Sequence, residues 1–250
     1  MLGIYDVYHQ SAEHALTGAV QVPVNDPLQI VPAMAAVTKH LGFGVTTSIS
    51  FEHPYPFARR ISTLDHLTKG RVGWNIVTSY LESGSKNLGL KTQVNHDNRY
   101  DIADEYLEVL YKLWEGSWEE GSVLRDRESG IFADHKKVHP IQHEGKYFTV
   151  PGIHICEPSP QRTPVLYQAG ASSRGQKFAS QNAECVFIAA PSKIATKKWY
   201  RVFAKNWLKK AAIRTQLKFM HFCRLSLMKP MQKHRLSLKN IKAMEATMGL

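Results

Sequence analysis

The sequence predicts an α/β protein built on a parallel sheet. Short β-branched segments flanked by turn formers alternate with segments of helical spacing, which is the order that parallel strands require. The expected strands are 41–50, 71–79, 163–168 and 184–190, and the expected helices are 56–67, 99–114 and 176–180. Eight such units would close as a (β/α)8 barrel, and about four or five can be counted here.

Each helix is supported by its own pattern. Helix 56–67 carries Phe57, Ile61 and Leu64 on one side and ends at Lys69-Gly70, a natural helix stop. Helix 99–114 is strongly amphipathic and closes at Gly116. Its apolar side consists of Ile102, Tyr106, Val109, Leu110 and Leu113.

Between the second and third strands the pattern loosens. Residues from about 116 to 160 are charged and punctuated by Gly and Pro, so we treat them as an excursion inserted into a domain of residues 1–198. A hairpin is expected there, with arms at 138–141 and 146–150.

The net charge of +11 is unevenly distributed along the 250 residues. Residues 1–198 carry 20 basic and 20 acidic residues, whereas 199–250 carry 12 basic residues and one acid. The body is therefore neutral and enzyme-like, and the basic tail is a separate segment. A nucleic-acid or membrane-binding tail is the alternative interpretation.

The cysteines and the apolar stretches restrict the class of protein. Cys156, Cys185 and Cys223 form no CxxC pair, which favours free thiols over a disulfide framework or a metal site. No apolar stretch is long enough to span a bilayer, and no secretory signal opens the chain. We expect a cytoplasmic protein without a metal.

Two polar side chains are expected near the carboxyl ends of successive strands. Thr46 and Asn75 occupy such positions, which is where barrel enzymes place their sites. A purely structural role for a buried Thr and Asn is the alternative. The run His53-Pro-Tyr-Pro-Phe57 follows the first strand and could form an aromatic lip over a pocket or only a rigid loop.

Two further groups could hold an anion. His96 and Tyr100 share a face at the head of an amphipathic helix, although Asn95 and Asp97 could make this only a capping region. The turn Ala169–Gly175 joins a strand to a helix, and Ser172 and Ser173 would add hydroxyl donors and Arg174 a charge to the backbone N–H groups. An ordinary tight turn with a serine N-cap is the alternative.

Longer strings resemble one known family, the nitrilotriacetate monooxygenase component A and dibenzothiophene-sulfone monooxygenase group of bacterial luciferase-like flavin monooxygenases. The resemblance rests on ordered strings that run from the N-terminus to about Lys198. They include VNDP, AMAAVT, LGFGVT, STLDHLTKGRVGWNIVTS, HDNRYD, KLWEGSW, SPQRTP and AGASSRG.

This resemblance implies a luciferase-like (β/α)8 barrel and a two-component monooxygenase. Reduced FMN from a separate NAD(P)H:FMN reductase and O2 would oxygenate a small organic substrate, and full-length relatives would be homo-oligomeric. Thr46 matches a family FMN contact near the flavin ring, whereas His96, Tyr100 and Ser172 match contacts along the ribityl-phosphate. Asn75 lies on a strand that lines the pocket. We assign no catalytic residue.

Both ends of the chain depart from the family pattern. The resemblance implies that the first βα unit, most of the second strand and the C-terminal units are lacking. The change in composition after Lys198 is explained by a slip of reading frame within a run of A bases, which would make residues 199–250 out-of-frame and not a domain. An inactive remnant of the enzyme is therefore the alternative to an active monooxygenase.

Overall fold

A computed structural model describes residues 16–19, 23–169 and 172–187. Its strands are β1 (Phe43–Ser48), β2 (Val72–Val77), β3 (Val123–Asp126), β4 (Ile131–Ala133), β5 (His143–Glu144), β6 (Thr149–Val150), β7 (Val165–Gln168) and β8 (Cys185–Val186). Its helices are α1 (Pro27–Ala36), α2 (Pro54–Thr68), α3 (Glu82–Asn87), α4 (His96–Tyr111) and α5 (Ser173–Asn182). The predicted tail 199–250 and residues 188–190 of the fourth expected strand lie outside the described residues.

Four of the strands form one parallel sheet in the order β1-β2-β7-β8. The spatial order follows the chain order, so successive βα units add in one direction, as they do around a (β/α)8 barrel. A doubly wound sheet would reverse its order at a switch point. The predicted α/β class with a parallel sheet is confirmed.

The helices cover one face of this sheet. Trp74 of β2 is fully buried there, with its ring centroid 4.6 Å from that of Phe57 on α2 and 6.2 Å from that of Tyr106 on α4. Its indole N–H donates to the Thr47 carbonyl oxygen at 3.2 Å, so the buried polar atom is satisfied. This aromatic cluster fixes α2 and α4 against the sheet.

The opposite face is lined by the alternate residues of the same strands. Thr46, Asn75 and Tyr167 lie side by side in register across β1, β2 and β7, and each is only partly buried. A Cβ on the neighbouring Gly73 would lie 2.6 Å from the Tyr167 ring, so this glycine leaves the room in which the ring lies. In a barrel this face is the interior.

The predicted helices are confirmed, but one predicted loop is wrong. The run His53–Phe57 is the start of α2: His53 is the N-cap, and its Nδ1 accepts the Tyr55 N–H at 3.2 Å. Pro54 takes the first helical position, where its missing N–H costs nothing. Phe57 is 1% exposed in the core and forms no lip over a pocket.

The excursion contains two small antiparallel hairpins, β3–β4 and β5–β6. The second differs from the predicted hairpin, because its first arm is His143–Glu144 and not 138–141. Val138 instead forms an isolated bridge with Trp118. Side-chain contacts with α4, which a local pattern does not show, set the position of this hairpin.

Glu105 on α4 is the main contact for hairpin β5–β6. Its carboxylate accepts the backbone N–H groups of Tyr147 at 3.0 Å and Phe148 at 2.8 Å, and it lies 3.3 Å from His143 Nε2. Burial acts to raise the pKa of Glu105, but these hydrogen bonds outweigh it and the pKa is lowered. The ionised carboxylate is thus the form that holds the hairpin.

His154 connects the excursion to α2. Its Nε2 lies 3.0 Å from the Ser62 hydroxyl, and its backbone N–H donates to Ser117 Oγ at 2.8 Å. Burial, reinforced by the nearby His66, lowers the pKa of His154 to about 4. The neutral imidazole is therefore part of the folded protein.

No metal-binding cluster of His, Cys, Asp or Glu occurs in the described part of the chain. Cys156 and Cys185 are free thiols there. None of the helices within 16–19, 23–169 and 172–187 has the length and apolar character needed to cross a membrane.

We expect Glu105→Gln to destabilise the fold by roughly 1–3 kcal/mol at neutral pH, since an amide is a weaker acceptor and brings a donor toward two N–H groups. Because the folded pKa is lowered, the contribution of Glu105 is present above its unfolded pKa of about 4.5 and is lost as the pH falls through the folded value. Urea unfolding at several pH values measures both effects. The exposed Glu120→Gln, away from hairpin β5–β6 in sequence, is the control, and equal losses in both variants would contradict the assignment.

His154 should make stability depend on pH in a different range. Between pH 6.5 and about 4, the His154 side chain is protonated in the unfolded protein but largely neutral in the folded one. The free energy of unfolding should therefore fall by roughly 3 kcal/mol as the pH drops through that range. His154→Gln should flatten this dependence, whereas the exposed His135→Gln should retain it. A wild-type profile that is flat between pH 6.5 and 4 would refute the prediction.

Candidate functional site

Thr46 and Asn75 lie together on the interior face, as predicted. The Asn75 amide Nδ2 donates to Thr46 Oγ1 at 3.0 Å, which fixes the orientation of the amide group. The other end of the same amide, Asn75 Oδ1, is buried and has no hydrogen-bond partner. A buried carbonyl oxygen without a donor is costly, so this atom is suited to a ligand N–H.

The carboxyl ends of β1 and β2 are tied together just beyond this pair. Ser79 Oγ donates to Ser48 Oγ at 2.8 Å, and Ser50 Oγ donates to the Thr78 carbonyl oxygen at 2.8 Å. Ser79 has a φ of 52°, in the left-handed region that few residues other than glycine adopt. Such local strain persists where the surrounding structure holds it, commonly at binding sites.

The head of α4 carries His96 and Tyr100 on one face, as predicted. Asn95 caps this helix by accepting the Asn98 N–H at 2.9 Å. His96 is exposed and its Nδ1 lies 2.7 Å from Asp97 Oδ1, while its ring centroid lies 5.2 Å from that of Tyr100. The capping interpretation and the shared face are both correct.

Tyr100 connects the head of α4 to the strand ends. It is 5% exposed, and the side chains of Thr78, after β2, and Gln168, in β7, are near enough to its hydroxyl to lower its pKa. Burial is the larger effect and raises the pKa of Tyr100, although these side chains and the guanidinium groups of Arg99 and Arg174 oppose the shift. The hydroxyl is thus protonated at neutral pH.

The serine-rich turn leads into α5. Ser172 is the N-cap, and its Oγ accepts the Gly175 N–H at 3.0 Å. Accepting this bond leaves the hydroxyl hydrogen of Ser172 as a donor for a ligand. Ser173 is the exposed first residue of the helix, and residues 170–171 lie outside the described residues.

Arg174 has a different role from the one its place in the turn predicts. Its Nη2 binds two carboxylates of α4, Asp101 at 2.9 Å and Asp104 at 2.6 Å. Its guanidinium carbon lies 5.5 Å from the Tyr100 ring centroid. With two acidic partners at Nη2, Arg174 joins α5 to α4, while its Nη1 is buried without a hydrogen-bond partner.

The first turns of α4 and α5 are therefore neighbours. Besides the Arg174 contacts, the Phe178 ring on α5 lies 5.4 Å from the Tyr100 ring. Ser172 caps the helix that makes both contacts. Tyr100 is the residue that joins the two parts of the candidate site, because it touches α5 on one side and, through Thr78, the strand that carries Asn75 on the other.

Seven of the ten buried polar side-chain atoms without partners in the described residues lie on the strands, on the β2–α4 connection (78–95) and on the first turns of α4 and α5. They are Thr47 Oγ1, Asn75 Oδ1, Ser83 Oγ, Gln93 Nε2, Arg99 Nε, Gln168 Oε1 and Arg174 Nη1. The other three, on Tyr106, Ser122 and Ser159, lie outside these segments. Since native proteins satisfy nearly all buried polar groups, such a group of atoms fits a site for a polar ligand.

Sequence reasoning missed Arg99, Thr78 and Gln168. Arg99 carried a usable signal: it falls on the same helical stripe as the buried residues Ala103, Tyr106 and Leu110, where a charge is unexpected. Gln168 ends a predicted strand, but only the fold brings it to Tyr100. No local pattern indicates that contact.

Comparisons with known proteins indicate the family. The family model described as luciferase-like monooxygenase matches residues 5–230, a range that extends past Lys198 into the basic segment. The dimethyl-sulfide monooxygenase of Hyphomicrobium sulfonivorans is 65% identical over 192 residues, 77% of this chain and 40% of the relative. The long-chain alkane monooxygenase of Geobacillus thermodenitrificans is 65% identical over 188 residues, 75% of this chain and 43% of the relative.

The solved structures give the same result. The crystal structure of long-chain alkane monooxygenase matches with a TM-score of 0.79 and 60% identity, covering 84% of this chain and 48% of that one. A riboflavin lyase structure with modified FMN and riboflavin matches with a TM-score of 0.77 and 40% identity, covering 82% and 46%. Among the sequence relatives, nitrilotriacetate monooxygenase component A of Aminobacter aminovorans is 38% identical over 76% of this chain and 42% of its own length.

The chain spans less than half the length of these relatives. Its family is nevertheless set by a match over nearly the whole sequence and by identities far above those of chance resemblance. On these grounds the chain belongs to the luciferase-like monooxygenase family.

Proposed function

We propose that this chain carries the flavin-binding part of a two-component monooxygenase that uses reduced FMN and O2. The observation that carries the proposal is the position of Tyr100, which contacts α5 and the strand ends at once. That position supports a single site at this end of the sheet, with Thr46 and Asn75 proposed as ring contacts and Ser172 as a phosphate contact.

At the ring end the polar groups suit the edge of a flavin. Such an edge presents both N–H donors and carbonyl acceptors, and Asn75 Oδ1 is a buried acceptor with no partner. The bond between Asn75 Nδ2 and Thr46 Oγ1 holds that oxygen in one orientation. Preorganised groups of this kind bind and orient a cofactor with little further loss of entropy.

At the phosphate end the groups suit an anion. Ser172 offers its hydroxyl hydrogen at the N-terminus of a ten-residue helix, where the backbone dipole favours negative charge. His96 and the protonated Tyr100 add donors from α4. Ser173, exposed beside Ser172, is a further candidate donor.

The interior face would also keep water from the reacting atoms. Tyr167 and Phe187 stack there, with ring centroids 5.7 Å apart and planes at 22°. When bound, reduced FMN supplies the electrons by which one oxygen atom of O2 enters the substrate. The role of the chain is then to hold the flavin, orient the substrate and exclude water.

The partner and the substrate stay predictions. One relative is named component A of nitrilotriacetate monooxygenase, which supports a separate NAD(P)H:FMN reductase as the flavin supplier. The named substrates of the relatives range from dimethyl sulfide to long-chain alkanes, so we propose only a small organic substrate. The cytoplasmic location, the homo-oligomer and the frame slip after Lys198 likewise stay predictions, as does the inactive remnant.

Flavin fluorescence titration tests the proposal. Wild-type protein should bind FMN, and Ser172→Ala and His96→Ala should each weaken binding about tenfold, the cost of one hydrogen bond to a charged group. Ser180→Ala, near the other end of α5, should bind as the wild type does.

Ser172→Ala removes both a helix cap and the proposed hydrogen bond to the phosphate. The variant Ser172→Asp separates the loss of the cap from the loss of the phosphate contact. Aspartate caps a helix as well as serine does, but its charge repels a phosphate. This variant should be as stable as the wild type and should bind FMN more weakly than Ser172→Ala does. Equal FMN affinity in all of these variants would overturn the proposal.

A further inference from the structure

We propose that the β2–α4 connection (78–95) together with Arg99 forms an oxyanion-binding site in which Arg99 supplies the positive charge. This oxyanion site rests on the proposed flavin site, because its donors would lie beside the phosphate end of that flavin site. Neither the strings shared with the family nor the predicted contacts assign a role to Arg99.

Arg99 is a buried cation without an acid. Arg99 is 9% exposed. Its Nη1 donates to the Val94 carbonyl oxygen, and its Nε is buried with no hydrogen-bond partner. It forms no ion pair with any residue in the described ranges. Burial lowers the pKa of Arg99, which reflects the missing counter-charge. A charge that is removed from water without a partner is costly, so the arrangement requires an anion.

The acids on the neighbouring elements are all paired elsewhere. Glu82 of α3 binds Lys86 at 3.0 Å, and Asp97 of α4 binds His96 at 2.7 Å. Asp101 and Asp104 both bind Arg174. The carboxylates closest in sequence therefore leave Arg99 free for a ligand.

The connection adds two more donors. Gln93 Oε1 accepts the Ser85 hydroxyl, which fixes the amide so that Nε2 is the free end. Gln93 Nε2 and Ser83 Oγ are both buried without partners. Within one connection and the turn that follows it, three buried groups can donate and have no acceptor.

Such a set matches an oxyanion. A phosphate, sulfate, sulfonate or carboxylate group only accepts at neutral pH, and it offers several lone pairs to converging donors. Arg99 lies in the first turn of α4 between His96 and Tyr100, so the site adjoins the proposed phosphate end. The oxyanion can therefore be the flavin phosphate itself or the acidic group of a separate molecule.

The two arginines provide a matched pair for the experiment. Arg174 is paired with two aspartates and positions α5, whereas Arg99 has no acid. Arg99→Met should leave the thermal unfolding midpoint of the ligand-free protein unchanged or raise it, because an apolar chain replaces an unpaired charge. Arg174→Met should lower that midpoint.

The first arm compares FMN with riboflavin, which lacks the phosphate, by fluorescence titration of the whole chain. If the flavin phosphate is the oxyanion, Arg99→Met should weaken FMN binding at least tenfold and leave riboflavin binding unchanged. Arg99→Lys, which restores the charge, should recover part of the affinity. Arg174→Met should also weaken FMN binding, since it displaces Tyr100 and Ser172, but it should do so together with a lower unfolding midpoint, which Arg99→Met should not show.

The second arm uses inorganic phosphate alone, at constant ionic strength. If a separate anion occupies the site, phosphate should raise the unfolding midpoint of the wild type more than that of Arg99→Met, and both flavins should bind the two proteins equally. If Arg99→Met changes neither the ratio of FMN to riboflavin affinity nor the response to phosphate, the oxyanion site is refuted. If the wild type binds no flavin, the proposed function fails, and the phosphate arm still decides whether the oxyanion site exists.

Discussion

The division of one parallel sheet into two faces is the constraint on which the rest of the structure depends. Alternate residues of each strand point in opposite directions, so the residues that bury Trp74 under α2 and α4 leave Thr46 and Asn75 on the other side. The core face needs large apolar side chains, and the interior face is free to carry polar ones. A single set of strands therefore supports both stability and a candidate site.

The second constraint is the contact between α4 and α5. These helices are separated by the excursion in sequence, yet Arg174 and Phe178 of α5 meet α4 at Asp101, Asp104 and Tyr100. The first turns of two helices, each with its own cap, thereby face the same region. Candidate anion-binding groups from distant parts of the chain come together because an ion pair and a ring contact fix the helices.

The sequence predicted the elements well because their causes are local. The strands at 41–50 and 71–79 and the helix over 99–114 follow from hydrophobic spacing and turn formers. The positions of Thr46, Asn75, His96 and Tyr100 follow from their places on those elements and from family strings.

The errors at His53–Phe57 and at the hairpin arm 138–141 have different origins. At His53–Phe57, two prolines favoured a loop, although proline suits the first turn of a helix. At the hairpin arm, the position of the hairpin is set by Glu105, which lies on another element. The acidic partners of Arg174 are equally non-local, so its pairing with two aspartates could not be read from the turn in which it lies.

The tyrosine that lies over Gly73 links two strands in a way that restricts how the interior can change. The Tyr167 ring occupies the volume that any side chain at position 73 would need. A larger residue at 73 would be accommodated only if residue 167 became smaller, so the two positions are expected to vary as a pair. Remodelling of this part of the interior for a substrate of a different shape would thus require two coordinated substitutions on adjacent strands.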